Sequence, residues 1–598
     1  MKILTIKRNQ MKKIVPILFI VGLIISSCQR SSGELLTAPT IGEIQSCSHI
    51  SPYNEKKVIG VEGVVTHKFK NGFTMQSIVN DPLQCSSEAI FVTTGVYPSV
   101  FPGQLVSVDG KINEYTPGSE EDHNLSRTEL HDPSIELIDE NVALPQPINL
   151  GKVSSIVPLN WIKEVNDFDI QKNGLDYYES LEFMLVEIDS GIVVGPKNSY
   201  NEFYVLPEEY QADNNLSMQG VLLQKFDDEN PEKIMIDASY SFTKEVNVGD
   251  TFTFPIVGIM EYSFGNFKIW TIKDPVIQTT EIAQSIINLN SESLTIASYN
   301  IENLSRFDDN SRIHKLGCQI AKDLHFPDII VLHEVLDDSG VQDDQEISSN
   351  QTLQSLTEAI SSCGGPLYAY SDNPPINNRD GGIQGGNIRT AVIYREDSGV
   401  VLDIPDKEVN GLSFRGGLVK IDQNPMRLFS YESVFSGTRK PTLWLFTWKG
   451  EQYLVLGLHL VSQSGKTPSW GNIQPPENPE QEKRVSQMKL VTEFVNDILS
   501  QDSHMNLIVL GDINDYPWSE TLNLLNSSPV TLLTDEKNTN ENFSYIHEGN
   551  AFQFDYAAVN NSLLNQITNY SILHLNTIFN INSQISDHDP IIFDISRQ

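Results

Sequence analysis

Five short segments in the second half of this 598-residue chain each end an apolar run in carboxylates, amides or imidazoles. Asn300 and Glu302 lie in the segment 296–304, Glu334 closes 328–334, and His459 sits in 457–460. Asp512 and Asn514 end 509–514, and Asp587 and His588 fall in 586–590. Oxygen donors of this kind suit a hard divalent cation, Mg²⁺ first and Mn²⁺ or Ca²⁺ as alternatives, rather than a thiophilic metal. Imidazoles among them can carry a proton near neutral pH. Hydrolysis of a phosphodiester asks for that combination: charge neutralisation, an oriented water and help for the leaving oxygen. A serine-nucleophile mechanism is excluded, because Ser586, Asp587 and His588 are adjacent and no Gly-x-Ser-x-Gly elbow precedes a helix.

Such side chains need a frame. An apolar run is a buried strand, and a polar group at its C-terminal end projects from a sheet edge, where a site can form. Residues 310–325 have helical periodicity and meet Pro327 before the run that ends at Glu334. Residues 351–362 and 482–499 read as further helices, so strands and helices alternate in an α/β or α+β sandwich. His333 alternates to the other face of its strand and is read as structural. His314, His325, His547 and His574 belong to no constellation.

With the loop 380–389 and the stretch 436–441, these segments resemble the endonuclease/exonuclease/phosphatase superfamily, over residues 293–598. The similarity is greatest to secreted bacterial nucleases that carry preceding OB-type modules. The resemblance implies an α+β chain with a DNase I-like four-layer α/β sandwich at its C-terminus, preceded by two all-β OB-fold-like modules. It implies Glu334 as the principal metal carboxylate with Asn300 and Asp587 beside it, and Glu302 as a further acidic ligand in some members. Asp512 and Asn514 belong at the attacking water and the phosphate, and His588 is the base or electrostatic partner oriented by Asp555. His459 lies on the other side of the phosphate, and Arg439 and Arg389 clamp its oxygens. The chain departs from the pattern twice. Tyr556 follows Asp555 where the nearest relatives have histidine, and Ile388 stands where the DNase I branch supports its second histidine with glutamate.

The first half reads as delivery and display. Lys7, Arg8, Lys12 and Lys13 precede an apolar run from Ile14 to Ile25, too short to span a bilayer, and Ser26, Ser27 and Cys28 follow. Residues 1–27 resemble a lipoprotein signal peptide with Cys28 as the lipidated residue, and Met11 is an alternative start. A tether (28–39) leads to a β domain (40–145), a second β-rich domain (146–280), a linker (281–292) and the domain at 293–598. Thr116 to Arg127 is expected to be an exposed loop. With Cys28 lipidated, the natural pairing of the other four cysteines is Cys47 with Cys85 and Cys318 with Cys363; free buried thiols are the alternative.

Lys and Arg total 41 against 78 Asp and Glu, a formal charge of -37. A sequence-independent nucleic-acid binder normally shows a basic face. Either the acidity is a solubility-tuned surface, or a bound cation and a local basic cluster do the phosphate work. The expectation is an exported, lipid-anchored, metal-dependent phosphodiesterase acting on DNA or RNA, touching the membrane through its N-terminal lipid alone. A phospholipid or sugar-phosphate esterase and a catalytically silent surface lipoprotein are the alternatives. The β modules are either single-strand binders or spacers.

Overall fold

Strand Leu294–Leu304 is buried along nearly its whole length, which requires cover on both faces. It pairs in parallel with Ile329–Val335 and antiparallel with Ile591–Ile595, at the centre of a six-stranded sheet. A seven-stranded sheet faces it, with Thr442–Trp448, Glu451–His459, Asn506–Asp512 and Asp555–Asn560 as neighbours in that order. Alternation then sorts the side chains. Ile296, Val331 and Phe593 meet Trp444, Val455 and Leu510 between the sheets. Ala297 and Leu332 turn outward to Leu316 and Ile320 of helix Asn310–Lys322 and Leu353 and Leu356 of helix Asn350–Ser362. On the far side, Met488, Val491 and Val495 of helix Gln481–Gln501 cover Leu454, Leu456 and Val509. Helix, sheet, sheet and helix make four layers, each large side chain contributing roughly 1.5–3 kcal/mol by its burial. The chain is α+β.

This computed structural model describes residues 35–78, 85–151, 168–211, 216–239, 241–283 and 285–597. The signal segment, Cys28 and most of the tether lie outside the described residues.

The first β domain is a ring. Strand Lys57–Lys68 pairs with Gly72–Gln76, which pairs with Ala89–Thr93; that strand runs parallel to Arg127–Asp139, which pairs with Leu105–Tyr115, and this returns to Lys57–Lys68. The second domain repeats the connectivity through Glu202–Pro207, Ile234–Asp237, Asn266–Thr271 and Ile256–Ser263. Its first strand is split into Leu185–Ile188 and Gly191–Gly195, and the two pieces pair with opposite ends of the path, which closes it.

The domains pack on one another. Phe91 and Leu125 of the first and Trp470 of the sandwich share a core with the second domain. The stretch Thr116 to Arg127, expected to be exposed, therefore comes inside at Leu125, whose N–H donates to the Tyr262 hydroxyl at 3.0 Å. Within 281–292, expected to be a linker, Ile287 is buried against the helix-side core of the sandwich. Disulfides join Cys47 to Cys85 and Cys318 to Cys363, the pairing expected from their domains.

Candidate active site

Two neighbouring strands break register at the same level. Leu294–Leu304 loses its ladder between Asn300 and Leu304, and Ile329–Val335 between Leu332 and Val335. Bulges re-aim side chains. Glu302 (φ 48°), Asn303 (φ 52°), Glu334 (φ 65°) and Asn514 (φ 58°) are all held in the left-handed region. That conformation costs non-glycine residues about 1–3 kcal/mol each, a strain that concentrates where function demands it.

The re-aimed groups converge. The Glu334 carboxylate accepts from Asn300 Nδ2 at 3.3 Å and from the Asn303 N–H at 3.1 Å. Asn300 Nδ2 also donates to Asp512 Oδ2 at 3.1 Å, which ties the first sheet to the second. His459 Nε2 lies 3.5 Å from Asp512 Oδ2 and 3.8 Å from Glu334 Oε1. His588 Nε2 stands 3.9 Å from Asp512 Oδ2, while its Nδ1 is 2.7 Å from Asp555 Oδ2. The Asn514 N–H donates to Asp512 Oδ1 at 2.9 Å, and the Leu460 carbonyl accepts from Asn514 Nδ2 and Arg439 at 3.3 and 2.7 Å. Glu334, Arg439, His459, Asp512, Asn514, Asp587 and His588 line one cleft of about 600 Å³. Glu302 opens instead into an adjoining cavity of about 470 Å³, with Asn303 on the wall of both.

Arg389, expected on a phosphate oxygen, is elsewhere. Its guanidinium donates to the Ile347 and Asn387 carbonyls at 2.6 and 3.0 Å and to Asp372 Oδ2 at 2.8 Å. It is 2 % exposed, and its strand position points it into the protein. Ile388 lines the cleft, and His459 Nδ1 is buried with no hydrogen-bond partner among the described residues. Position 388 thus lacks an acceptor where the resemblance would put a glutamate. His333 is buried between the Ser298 and Thr390 hydroxyls, and burial lowers its pKa to about 4. His574 gains a partner in Asp589 at 3.2 Å and stacks on Phe543. Sequence reasoning missed Tyr545, which bridges to His588 with ring centroids 4.8 Å apart. No local signal marks that residue.

Comparison with known proteins gives a family for one part. Residues 146–281 match the model of a domain of unknown function, DUF8508. No curated protein matches the chain. Among solved structures it is similar to humanized D. rerio TDP2 (14% identity, TM-score 0.33), covering 52% of this chain and 100% of that one. It is similar also to the human Nocturnin catalytic domain with bound sulfate anion (17%, TM-score 0.35), covering 52% and 96%. A third is the endonuclease/exonuclease/phosphatase from Bacteroides vulgatus (15%, TM-score 0.33), covering 51% and 99%.

The electrostatics of the cleft follow from crowding. Burial, then the neighbouring Asp587 and Glu334, lifts the Glu302 carboxyl to about 7. Burial, with Asp555 and Glu334 outweighing part of the help from His588, lifts Asp512 to about 7. Burial opposes charge on His588, yet Asp555, Asp512 and Asp587 overcome it and raise its pKa well above the imidazole range. Burial, with Arg439, His333 and His588 adding to it, keeps His459 neutral. His588 and Arg439 offset only part of this carboxylate crowding, and the donor atoms are hard oxygens, so a divalent cation fits them. No three acidic or imidazole ligand atoms of the cleft lie within 4.8 Å of one another among the described residues. His314, Cys318 and Cys363 do approach that closely, but both sulfurs are already bonded to each other.

Proposed function

We propose that the chain is an exported, lipid-anchored, metal-dependent phosphodiesterase that hydrolyses nucleic acid by direct attack of water. One observation carries the reading: side chains spread from Glu334 to His588 line a single cleft, and buried Asn300 bonds Glu334 and Asp512 together across the edges of two sheets. The export and anchoring part rests on the basic, apolar and Cys28 pattern of the first 28 residues. The ring connectivity of the two β domains supports OB-type modules.

In this reading Glu334, Asn300 and Asp587, with Glu302 behind them, would hold a divalent cation, which would supply countercharge for the phosphate and for an activated water. The chain's own groups supply orientation and proton handling. Asp512 and Asn514 position the attacking water. His588, fixed through Nδ1 by Asp555, presents Nε2 to the reacting phosphate as a proton carrier and a positive charge. Neutral His459 donates a hydrogen bond on the other side, and Arg439 adds a fixed positive charge.

The test is cleavage of labelled DNA and RNA oligonucleotides with Mg²⁺, with and without chelator, beside a phospholipid and a sugar phosphate. Glu334→Ala and His588→Ala are expected to lose about 10²- to 10³-fold in kcat, the usual cost of removing positioned charge. Equal activity in wild type and both variants would reject the site.

A further inference from the structure

The hairpin between strands Ile256–Ser263 and Asn266–Thr271 of the second β domain reaches the end of the catalytic cleft. A Cβ on Gly265 would lie 2.7 Å from that of Pro468, so the tip presses on the loop 462–469 that forms one wall. On the other side Asn266 Nδ2 donates to Glu548 Oε1 at 3.1 Å. Phe264 and Gly265 are the two central residues of the turn closed by Ser263 and Asn266, and both take positive φ (49° and 73°); Phe264 is 74% exposed and lines the same cleft as Glu334 and His588. A lone exposed phenylalanine is ordinary. The two-residue turn accounts for the positive φ but usually takes Asn, Asp or Gly there; a phenylalanine exposed at that place on the rim of the cleft, with the next two residues anchored at Pro468 and Glu548, is the unusual choice.

The opposite wall is aromatic and is joined to the same domain. Ala551 donates its N–H to the Leu222 carbonyl at 2.8 Å and accepts from the Gln224 N–H at 3.2 Å, while Asn230 Nδ2 donates to Asn550 Oδ1 at 2.7 Å. Beyond that seam rings run toward His588: Phe552 stacks on Phe554 (centroids 5.5 Å apart, planes at 7°), and Phe554 on Tyr545 at 5.3 Å. Lys466 Nζ, 3.1 Å from the Tyr516 hydroxyl, places a cation on the rim.

We propose that Phe264 is a stacking platform for an unpaired nucleobase next to the scissile phosphate, so that the second β domain completes the substrate site and selects single-stranded nucleic acid. This deepens the phosphodiesterase reading and rests on it. Every base has a flat π-face, so an aromatic platform binds any sequence, provided the base is not already stacked in a duplex. Serine hydroxyls and Gln463 on the loop wall suit a sugar-phosphate chain and do not form the continuous apolar trough that an acyl chain would need.

The test uses the full chain with Mg²⁺, as wild type, Phe264→Ala and Phe264→Trp. The substrates are a labelled single-stranded oligonucleotide, its duplex, and the same strand made abasic around the cleavage position. Phe264→Ala is expected to raise KM about tenfold on the base-bearing strand, the order of one stacked base. It should leave kcat and abasic-strand cleavage unchanged, and Phe264→Trp should restore KM. Anisotropy of the same strand gives Kd independently of turnover. Cleavage with a KM indifferent to residue 264, or an equal loss on both strands, overturns the platform alone. Binding that depends on Phe264 in a protein that cleaves no phosphodiester keeps the platform and rejects the catalytic reading. Absence of both binding and cleavage rejects both.

Discussion

His588 Nδ1 lies 2.7 Å from Asp555 Oδ2, fully inside the protein, and this contact fixes which ring nitrogen faces the cleft. In the proposed reading Asp555 is a positioning residue that acts through the imidazole. Asp555→Asn is expected to cut the single-turnover rate on an oligonucleotide by about 10²- to 10⁴-fold, the range of a lost acid–base contribution. The pH–rate profile should move with it. A rate near wild type with an unmoved profile would show that His588 works without this partner.

Arg389 should behave as a stability residue. Its guanidinium satisfies Asp372 and two backbone carbonyls, and deleting it takes the donor from both carbonyls and leaves the half-buried Asp372 with the Ser349 hydroxyl alone. Arg389→Ala is expected to lower unfolding stability by about 3–5 kcal/mol while the folded fraction keeps its kcat. Arg439→Ala, in contrast, should lose kcat, because Arg439 lines the cleft. Denaturant titration and rate measurement on both variants check the contrast.

The Cys318–Cys363 bridge ties helix Asn310–Lys322 to the end of helix Asn350–Ser362 across a sequence separation of 45. Closing a loop of that length restricts the unfolded chain by about 4 kcal/mol in the chain-entropy picture. The double variant Cys318→Ala/Cys363→Ala is expected to melt at lower temperature by calorimetry, with site chemistry retained at a temperature where it is folded. No change in melting would place the bridge outside the stabilising set.

A buried cluster predicts pH-dependent stability away from the cleft. His49 Nε2 is 2.7 Å from Asp176 Oδ1, and Nδ1 is 3.2 Å from Glu179 Oε2. Burial disfavours its charge, but the two carboxylates raise its pKa to about 10. The folded state therefore holds a proton that the unfolded chain releases near its ordinary value. The contribution is complete below about pH 6.5 and falls as pH rises toward 10, by up to about 1.4 kcal/mol per pH unit. Urea unfolding between pH 6 and 10 should show that slope, and His49→Gln should remove it. A flat profile in wild type would mean that the ring is neutral in the fold.

The linear sequence carried the parts of this protein that local chemistry encodes. Apolar runs mark Leu294–Leu304, Ile329–Val335 and Asn506–Asp512, and periodicity over 310–325 and 351–362 marks helices found at Asn310–Lys322 and Asn350–Ser362. A strand's alternation is legible because each side chain records which face it occupies. Polar groups at strand ends are legible because little else puts Glu334 or Asp512 beside such runs.

What only tertiary structure decided are contacts whose partners carry no mutual mark. Arg389 belongs to Asp372 and two carbonyls, although its loop resembles one that serves phosphate. Tyr545 reaches His588 within the sandwich through its loops, and Leu222 reaches Ala551 and Gly265 reaches Pro468 because whole domains pack in one way. The second ring closes only because its first strand breaks after Ile188 and pairs at both ends of the sheet. Secondary structure depends on neighbours along the chain. These pairings depend on shape and burial across hundreds of residues, a sum of small packing terms that no local motif records.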